Sequence, residues 1–592
     1  MRRPAISMTP DRWIAVGFGV LMVASLLVMS ALSGHMSASA MEADNAMRLV
    51  QIQDFLKGQG WFDLHQDRLG LEGGTAIHWS RLADVPILII KSGLDIFLPS
   101  QKALEIACLV WPPLSVLLVV WGLMKGARFM GGRVVLVFVC IIAATVLFRN
   151  ANFLSGSIDH HNIQLGFLAI AAGFSLDPER RPVSLAIVGA ALASSTAVGA
   201  EVYPFVGIFC AFHALDWAFA GAPARRGVIA FGASFAALTA LFFAASVAPA
   251  NYGIVHCDAL SLVTLSAAVS GGAGLAIVVA VLSEKPFAWR LASLGALGLV
   301  CGLLLTAQAP QCLANPLDGL PPIVRTLWLE KVDEARPLFS VRPNMAQEIP
   351  FMVGVSLVAL IVSIWRAWRG VQRRAHLLFV ALLAVDLLLT LQQVRFYSFG
   401  HVFAILPLGA WVAGLFATRE DGERSAAYLL ALAVSLPLVW GAPGRMFRTP
   451  PGELVDNGNG ASACASPGML AALDELPVGR VLSVADVAPD MLRYTRQSAL
   501  HGHYHRNAAG IEAALNIFTS PAEEASGLMR EAGVDYILAC PGHAELRMLA
   551  DESPGDFADG LNAGIIPDGL KVIRRAGDGE TLYALQPLAP RT

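Results

Sequence analysis

The sequence predicts a polytopic α-helical membrane protein with a soluble α/β domain at its C-terminus. Of the 592 residues, 55% are hydrophobic and only 15% are charged, and the mean hydropathy is +0.59. A soluble protein carries about 25% charged residues, so this chain has too few charges to cover a water-facing surface of its size. After about residue 445, glycine, proline and charged residues become more frequent. These observations exclude a disordered chain and a simple soluble enzyme, and the net charge of -3 gives no indication of nucleic-acid binding.

About thirteen membrane spans are predicted, because a helix needs about 20 apolar residues to cross a bilayer. The first covers Trp13 to Leu32. It is long and lacks a small-residue cleavage site, so we interpret it as a retained anchor rather than a signal peptide. The other apolar runs are centred near residues 113, 140, 168, 190, 210, 238, 270, 298, 358, 383, 408 and 433.

The basic residues predict the orientation of these spans. Lysine and arginine fall in alternate short loops, as at Arg180 with Arg181 and in the cluster from Arg366 to Arg374. Such loops face the cytoplasm. We therefore expect a multi-pass protein of the inner membrane, with a cytoplasmic N-terminus and with the intervening loops and the C-terminal domain on the periplasmic side.

Two domains are predicted. The membrane domain covers residues 1–445 and contains two large periplasmic loops, at about 34–103 and 309–348, whose aromatic residues indicate ordered structure. The periplasmic α/β domain covers residues 446–592. Its predicted strands and helix include Gly479–Val484, Pro521–Glu531 and Val534–Ala539.

The most informative motif is Asp159-His160-His161, which stands immediately before the fourth span. Carboxylate oxygen and imidazole nitrogen suit metal coordination or a phosphate-bearing substrate. The alternative is a polar helix cap, a position that aspartate favours. Placing three ionisable groups at an apolar boundary costs more free energy than capping one helix requires. This cost favours the functional interpretation.

Other outward-facing polar residues are candidates of the same kind. Arg395 lies at the outer end of the eleventh span, where it either binds phosphate or extends to the membrane surface. Arg81 is a weaker phosphate-binding candidate. Glu201 is either a substrate-contacting residue or a solvated helix end. In the second long loop, Glu334 and Glu348 are both candidate functional acids, and for each the alternative is an exposed charge.

The placement of these acids resembles the GT-C superfamily of integral-membrane glycosyltransferases, and within it the catalytic subunit of oligosaccharyltransferase. Members have thirteen spans, a cytoplasmic N-terminus, two large outer loops and an outer C-terminal domain. They carry an acid in the first outer loop, an aspartate motif after the third span that is often Asp-His-His, and a glutamate after the ninth span. Here Asp44, Asp159 with its two histidines, and Glu334 occupy those places, with Glu348 as the alternative for the last.

The resemblance implies transfer of a sugar or oligosaccharide from a polyprenyl-phosphate or polyprenyl-pyrophosphate donor to a periplasmic glycan, lipid or protein acceptor. Asp44 and Asp159 would be the catalytic residues, with Asp44 as the candidate base. Arg81, Glu201 and Arg395 would bind substrate.

The resemblance also implies a metal site. Asp44, Asp159, His160, His161 and Glu334 are its candidate ligands. Mg²⁺ or Mn²⁺ would suit these oxygen-rich ligands.

The C-terminal domain departs from the family pattern. The Trp-Trp-Asp-Tyr-Gly signature, which recognises the peptide acceptor in oligosaccharyltransferases, is absent from this sequence, and Leu500–Asn507 stands in its general region. Donation from a lipid-linked sugar is therefore expected, whereas transfer to asparagine is not implied.

The competing functional class is a transporter or flippase of lipid-linked glycans. That class predicts internal repeats and charges near the bilayer midplane, whereas here the acids gather at one face. Cysteines add a separate expectation, because Cys257 with Cys312 and Cys464 with Cys540 fall on the oxidising side and could form disulfides. The sequence alone does not establish either pairing.

Overall fold

The computed structural model describes residues 10–36, 41–314, 317–341, 347–417, 427–446, 464–567, 569–577 and 579–586. The described residues form two compact units. The first unit contains residues 10–36, 79–314, 333–341, 347–417 and 427–446, and the second contains residues 41–78, 317–332 and those from 464 onwards. Pieces of both predicted outer loops therefore belong to the second unit. The predicted domain boundary after residue 445 stays a prediction, and residues 447–463 lie outside the described part of the chain.

The helices and strands, in chain order, are α1 (Pro10–Leu32), α2 (Ala43–Leu56), β1 (His65–Gln66), β2 (Thr75–Ala76), α3 (Val85–Leu94), α4 (Ser100–Gly131), α5 (Arg133–Leu147), α6 (His161–Ser175), α7 (Pro182–Val198), α8 (Tyr203–Ala220), α9 (Arg225–Ser246), α10 (Leu262–Ala268), α11 (Gly274–Leu282), α12 (Phe287–Gln308), α13 (Pro322–Leu327), α14 (Ile349–Trp368), α15 (Arg373–Gln392), α16 (Tyr397–Ala417), α17 (Ala427–Val434), α18 (Pro437–Met446), α19 (Pro467–Asp474), β3 (Arg480–Leu482), α20 (Ala488–Tyr494), β4 (Ser498–Ala499), α21 (Ala508–Phe518), α22 (Ala522–Glu531), β5 (Tyr536–Ala539), α23 (Ala544–Glu552), α24 (Phe557–Asn562), β6 (Leu570–Arg575) and β7 (Thr581–Leu585).

Within the described ranges, nine helical stretches are long and apolar enough to cross a membrane. Each predicted span centre falls within a helix, the one near residue 270 in the π-helical turn Val269–Ala273 that joins α10 to α11. Two further helices, α5 and α7, are apolar but shorter. The chain is therefore an integral membrane protein built mostly of helices, while the exact number of thirteen spans stays a prediction. The nine stretches are Asp11–Leu32, Ser100–Gly131, Ala200–Ala220, Ala222–Ser246, Leu262–Leu282, Phe287–Gln308, Ile349–Trp368, Arg373–Gln392 and Val394–Ala417.

Helix α12 illustrates why these helices need lipid. None of its described residues is buried in the protein, and Trp289, Leu299 and Leu303 present large apolar side chains to the outside. A helix on a water-soluble protein would bury its apolar stripe against a core. An apolar surface all around the helix is favourable where the solvent is hydrocarbon.

Helices α4 and α6 pack backbone against backbone at three glycines, Gly122 and Gly126 of α4 and Gly173 of α6. We call this contact the glycine seam. A Cβ added to Gly173 would collide with the carbonyl group of Gly122, and one added to Gly126 would lie 3.1 Å from the Cα of Gly173. Small residues allow membrane helices to approach this closely. Because α6 begins at His161, the seam fixes the helix that follows the Asp-His-His motif.

An acid inside a span is neutralised by two arginines from other segments. Asp216 of α8 accepts two hydrogen bonds from Arg180, at 2.7 and 2.8 Å, and one from Arg374 at 2.9 Å. Bidentate pairing of this kind holds both groups in one geometry. Asp216 therefore joins three segments of the first unit.

The second unit contains a five-stranded mixed sheet in the order β4-β3-β5-β7-β6. Strands β4, β3 and β5 run parallel, and β7 and β6 complete the sheet in antiparallel fashion. Buried apolar residues such as Val481, Leu482, Ile537 and Leu538 occupy the central strands, as expected where helices cover a parallel sheet.

The chain just after α2 adds to the edge of this sheet. The backbone N–H of Ala499 in β4 donates to the carbonyl of Arg68 at 2.8 Å, and that of Gly70 donates to the carbonyl of Ala499 at 2.8 Å. The Arg68 guanidinium donates to the carbonyls of Leu492 and Thr495. These bonds explain why part of the first predicted loop folds with the C-terminal residues.

Each unit carries one disulfide. Cys257 is bonded to Cys312 in the first unit, and Cys464 to Cys540 in the second. These are the two pairs that the sequence left open. Each bond closes a loop of more than 50 residues, which restricts the unfolded chain and stabilises the unit.

Candidate functional site

The Asp-His-His motif lies in a tight turn just before α6. Gly156 allows the turn because it adopts a φ of +85°, which favours glycine. The Asn162 side chain donates to the carbonyl of Ser157 at 3.1 Å, and the backbone N–H of Ser155 donates to Ser30 Oγ at 2.9 Å. The turn is thereby tied both to its own helix and to α1.

Five side chains close a ring of polar contacts at this turn, and we call it the polar ring. His160 Nδ1 lies 2.7 Å from Asp159 Oδ1, and His160 Nε2 lies 3.4 Å from Glu201 Oε1. The Gln164 amide donates to Glu201 Oε2 at 2.9 Å, and its Oε1 lies 3.2 Å from His161 Nδ1. His161 Nε2 lies 3.3 Å from Asp159 Oδ2, which completes the ring. The structure thus brings together four residues predicted from the sequence and adds Gln164.

The ring has a cationic centre between two acids. Burial alone would lower the pKa of His160, but the charges of Asp159 and Glu201 and their hydrogen bonds outweigh it and raise that pKa to about 10. A histidine with such a pKa is protonated at neutral pH and donates from both nitrogens. His160 therefore links the two carboxylates electrostatically and holds Asp159 by its Oδ1 atom.

Gly199 has no side chain, and this leaves room for the side chains of the polar ring to meet. A Cβ added to Gly199 would lie 2.5 Å from Gln164 Nε2, 2.6 Å from Glu201 Oε2 and 3.0 Å from His160 Cδ2. These distances are shorter than ordinary van der Waals contacts. Position 199, at the end of α7, is thus a close-approach site for three ring members.

Arg395 and Glu334, both predicted from the sequence, form a loose ion pair in the same unit. Arg395 Nη1 lies 3.7 Å from Glu334 Oε1. The backbone N–H of Val394 donates to the carbonyl of Arg336 at 3.0 Å, which attaches the segment around Glu334 to the one carrying Arg395. Arg395 Nε is buried without a hydrogen-bond partner among the described residues, and its charge acts on Glu201. An arginine with an unused donor beside the polar ring can bind an anion.

The other predicted site residues lie in different surroundings. Arg81 is buried in the first unit and pairs with Asp84 at 3.9 Å. Glu348 precedes the first turn of α14. Asp44 lies in the first turn of α2, in the second unit, where its charge acts on His503. The roles predicted for Arg81, Glu348 and Asp44 stay predictions.

The second unit holds a further cluster of histidines and acids. His503 Nε2 lies 3.1 Å from Asp486 Oδ1, and His543 Nε2 lies 3.6 Å from Asp486 Oδ2. The hydrogen bond from His503 lowers the pKa of the Asp486 carboxyl. Trp328 Nε1 donates to His503 Nδ1 at 2.8 Å, so the ring proton of a neutral His503 is on Nε2 and points at Asp486. The pair is therefore a hydrogen-bonded one, and His503 Nε2 has no free lone pair for a metal.

The residues of the polar ring fit a divalent cation better. Ligand atoms of Asp159, His160 and His161 all lie within 4.8 Å of one another, and oxygen with nitrogen suits Mg²⁺, Mn²⁺ or Zn²⁺. Both ring nitrogens of His160, a predicted ligand, face carboxylates. Asp159 and His161 are therefore the ring members that would hold a cation there.

Sequence reasoning missed Gln164 and Gly199. Gln164 follows His161 by three residues on α6, a spacing that places two side chains on one helix face, and it is a fully buried amide in an apolar helix. That spacing was the available signal. The requirement for Gly199 depends on where α7 ends beside α6, which no local pattern reports.

No family model and no curated protein matches this sequence. Solved structures do match. The apo form of the oligosaccharyltransferase from Archaeoglobus fulgidus has a TM-score of 0.67 at 13% identity, over 98% of this chain and 75% of that chain. The same archaeal enzyme, AglB, with an inhibitory peptide and a dolichol-phosphate has a TM-score of 0.63 at 14% identity, over 96% and 75%. Its complex with Zn and sulfate has a TM-score of 0.58 at 14% identity, over 95% and 74%. The chain therefore shares the fold of these oligosaccharyltransferases, which is the fold that the family resemblance implied.

Proposed function

We propose that the protein is a membrane glycosyltransferase that moves a sugar or oligosaccharide from a polyprenyl-phosphate or polyprenyl-pyrophosphate donor to a periplasmic acceptor. The polar ring is the observation that carries this proposal, because Asp159 and His161 lie together at the start of α6 in a chain with the oligosaccharyltransferase fold. The solved complex of AglB with dolichol-phosphate supports a lipid-linked donor.

Arg395 is proposed to hold the donor phosphate. Breaking the bond between the sugar and the phosphate oxygen leaves negative charge on the phosphate, and a fixed cation there stabilises the transition state. Arg395 has an unused buried Nε donor and only a 3.7 Å contact with Glu334. Its guanidinium can therefore take a phosphate oxygen without breaking a short hydrogen bond.

The acids are proposed to activate and position the acceptor and the sugar. Asp44 and Asp159 would accept the proton of the attacking group or hold it in line, and Glu201 would contact the sugar. Asp159 and His161, with Asp44 and Glu334 as implied by the family resemblance, would hold Mg²⁺ or Mn²⁺, which when bound neutralises charge developing on the phosphate.

The location proposed for this reaction is the periplasmic face of the inner membrane, with the N-terminus in the cytoplasm. The positive-inside pattern of the loops supports that orientation. Because the sequence lacks the Trp-Trp-Asp-Tyr-Gly signature, the acceptor is left open between glycan, lipid and protein.

Gene deletion tests the function as a whole. We expect the deleted strain to accumulate a polyprenyl-linked sugar and to lose one surface glycan, and both changes should revert when the wild-type chain is supplied. Mass spectrometry of extracted lipids and surface glycans measures both. Unchanged lipids and glycans would count against transfer. A donor lipid that accumulates only in the cytoplasmic leaflet would indicate a flippase instead.

Replacing Arg395 with alanine should weaken donor binding. The lost phosphate contact is expected to raise the donor KM about 10- to 100-fold, since a charge-assisted hydrogen bond contributes about 1.5–3 kcal/mol. Arg395→Lys should recover part of the loss, because lysine keeps the charge but not the planar fork. Initial rates of the purified protein with titrated donor measure this.

Arg325→Ala is the matched control for Arg395. Arg325 is more exposed and contacts the backbone oxygen of Asp318, so its removal should leave the donor KM unchanged. A donor KM that stays at the wild-type value in Arg395→Ala would exclude Arg395 from phosphate binding.

Gly199→Ala, which adds one methyl group, should slow sugar transfer without unfolding the protein. The new Cβ would push aside the ends of Gln164 and Glu201. These ends are flexible, so we expect a loss of about 1–2 kcal/mol in stability but a drop of about 10- to 100-fold in kcat. Gly207→Ala, where no atom lies within 4 Å of the new Cβ, is the control. Equal rates in both variants would show that the ring geometry does not matter for catalysis.

A further inference from the structure

We propose that a group of four cations in the first unit binds the headgroup of an anionic phospholipid. The group, which we call the basic cluster, consists of Arg12 of α1, Lys125 and Arg128 of α4, and Arg181 directly before α7. It lies beside the C-terminal end of α6, whereas the polar ring lies at the start of that helix. The cluster is therefore separate from the polar ring, and the inference goes beyond the proposed function.

Contacts with two aromatic rings bring three of the cations together. Lys125 Nζ lies 5.7 Å from the ring centroid of Phe174, in the last turn of α6. The guanidinium carbon of Arg181 lies 5.4 Å from the ring centroid of Phe129, which is the residue next to Arg128. Lys125 and Arg128 are three residues apart on α4, a spacing that places both on one helix face. The segment before α7 is thus held against the last turns of α4.

An ion pair brings the fourth cation, Arg12, to the same place. The neighbouring Asp11 accepts a hydrogen bond from Arg133 Nε at 3.3 Å. Arg133 begins α5, directly after the end of α4, so the start of α1 lies beside the end of α4. The positive charge of Arg12 accordingly acts on Lys125, as do the charges of the two other arginines.

The acids nearby neutralise only part of this charge. Asp177 accepts from Arg181 Nε at 2.7 Å, from Ser184 Oγ, and from the backbone N–H of Glu179 at 3.1 Å. The exposed carboxylate of Glu179 lies 3.6 Å from the same Arg181 Nε. Both acids thus face one arginine, and within the described ranges the three other cations of the cluster form no ion pair. The cluster keeps an excess of positive charge, which attracts a phosphate group.

An apolar strip on α4 indicates that this phosphate belongs to a lipid. Trp121 and Leu117 precede Lys125 by four and eight residues, so they lie on the same helix face. They are 45% and 41% exposed, on a helix that is long and apolar enough to cross a membrane. A free phosphate ion would use only the cations. A phospholipid would use both features, with its headgroup at the cluster and its acyl chains along the strip, and cationic pockets between membrane helices suit such headgroups.

Lipid binding to the purified full-length protein in neutral detergent tests this site, with native mass spectrometry as the readout. We expect phosphatidylglycerol to bind about 10-fold more tightly than phosphatidylcholine with the same acyl chains, because only the first has a net negative charge. In Lys125→Gln/Arg128→Gln the Kd for phosphatidylglycerol should rise about 30-fold, since each cation near the membrane surface contributes about fivefold. The Kd for phosphatidylcholine should stay unchanged.

Two further variants separate the site from general charge and from packing. Arg225→Gln/Lys285→Gln removes the same number of charges elsewhere in the first unit, where Arg225 donates to the carbonyl of Ala280 and Lys285 is exposed. Its Kd for phosphatidylglycerol should stay within about twofold of wild type, because attraction falls off over a Debye length. Lys125→Arg/Arg128→Lys keeps both charges and should also bind as wild type.

Three results would overturn the assignment. The first is equal affinity of the wild type for the two lipids. The second is an equal loss of affinity in Lys125→Gln/Arg128→Gln and in Arg225→Gln/Lys285→Gln, which would indicate general surface charge. The third is inorganic phosphate that displaces phosphatidylglycerol at equal concentration, which would indicate a site for free phosphate. Because lipid binding is measured without sugar transfer, each of these results leaves the proposed function intact. Failure of transfer with normal lipid binding would do the reverse.

Discussion

Asp159→Asn should reduce sugar transfer about 100- to 1,000-fold while the protein still folds. This is the size of effect seen when one electrostatic stabiliser is removed from a preorganised site. Asparagine keeps the shape of the side chain but loses the negative charge that faces His160 at 2.7 Å and His161 at 3.3 Å. The polar ring then has one carboxylate fewer, and the amide can place an NH₂ group where a cation would be held.

The measurement is the initial rate of transfer from extracted lipid-linked donor by purified protein, together with its thermal unfolding temperature. Glu179→Gln is the control, since Glu179 is an exposed acid in the same unit and its neutralisation should change neither quantity. A variant that folds normally and transfers sugar at the wild-type rate would rule out Asp159 as a catalytic residue.

Gly122→Val should prevent stable folding. The valine side chain would enter the backbone of α6 at Ala169 and Ile170, and backbone atoms of a helix cannot move aside as a flexible side chain can. Overpacking a tight contact costs about 1–3 kcal/mol, and a clash with main chain should exceed that range. We expect little monodisperse protein after extraction, measured by size-exclusion chromatography.

Gly298→Val is the matched control for the glycine seam. Gly298 lies in another membrane helix, α12, and no atom lies within 4 Å of its added Cβ. The same substitution there should give wild-type yield, because valine is well tolerated where a helix faces lipid. Equal yields from both variants would show that α4 and α6 separate without cost.

Local sequence patterns were sufficient to predict individual helices and the Asp-His-His motif. Apolar runs located the helices because burial in lipid depends on composition, and Asp159, His160 and His161 were found together because they are adjacent in the chain. Glu201 was selected only as a polar residue at a span end. Its contact with His160 joins positions 41 residues apart, and such a contact depends on how α6 and α7 pack.

Contacts between residues far apart in the chain could not be predicted, because they too depend on how the elements pack. The first predicted loop was expected to be an ordered loop, yet Arg68 bonds to residues more than 420 positions away. The sequence of a loop does not reveal which strand edge it will complete. The sequence likewise does not identify glycines such as Gly122 and Gly173 as packing positions, because the helix against which each glycine packs is a property of the fold.

The glycine seam also limits how the molecule can move. Helices that interlock through their main chains cannot slide or rotate past each other without breaking the contact, whereas helices separated by long side chains can shear. Helix α6, which starts at His161, is therefore held in a fixed position against α4. If the protein takes the proposed lipid-linked donor, the motion that admits it has to come from other segments, such as the one that carries Glu334. Amide hydrogen exchange should accordingly be slowest along α6 and faster around residues 333–341.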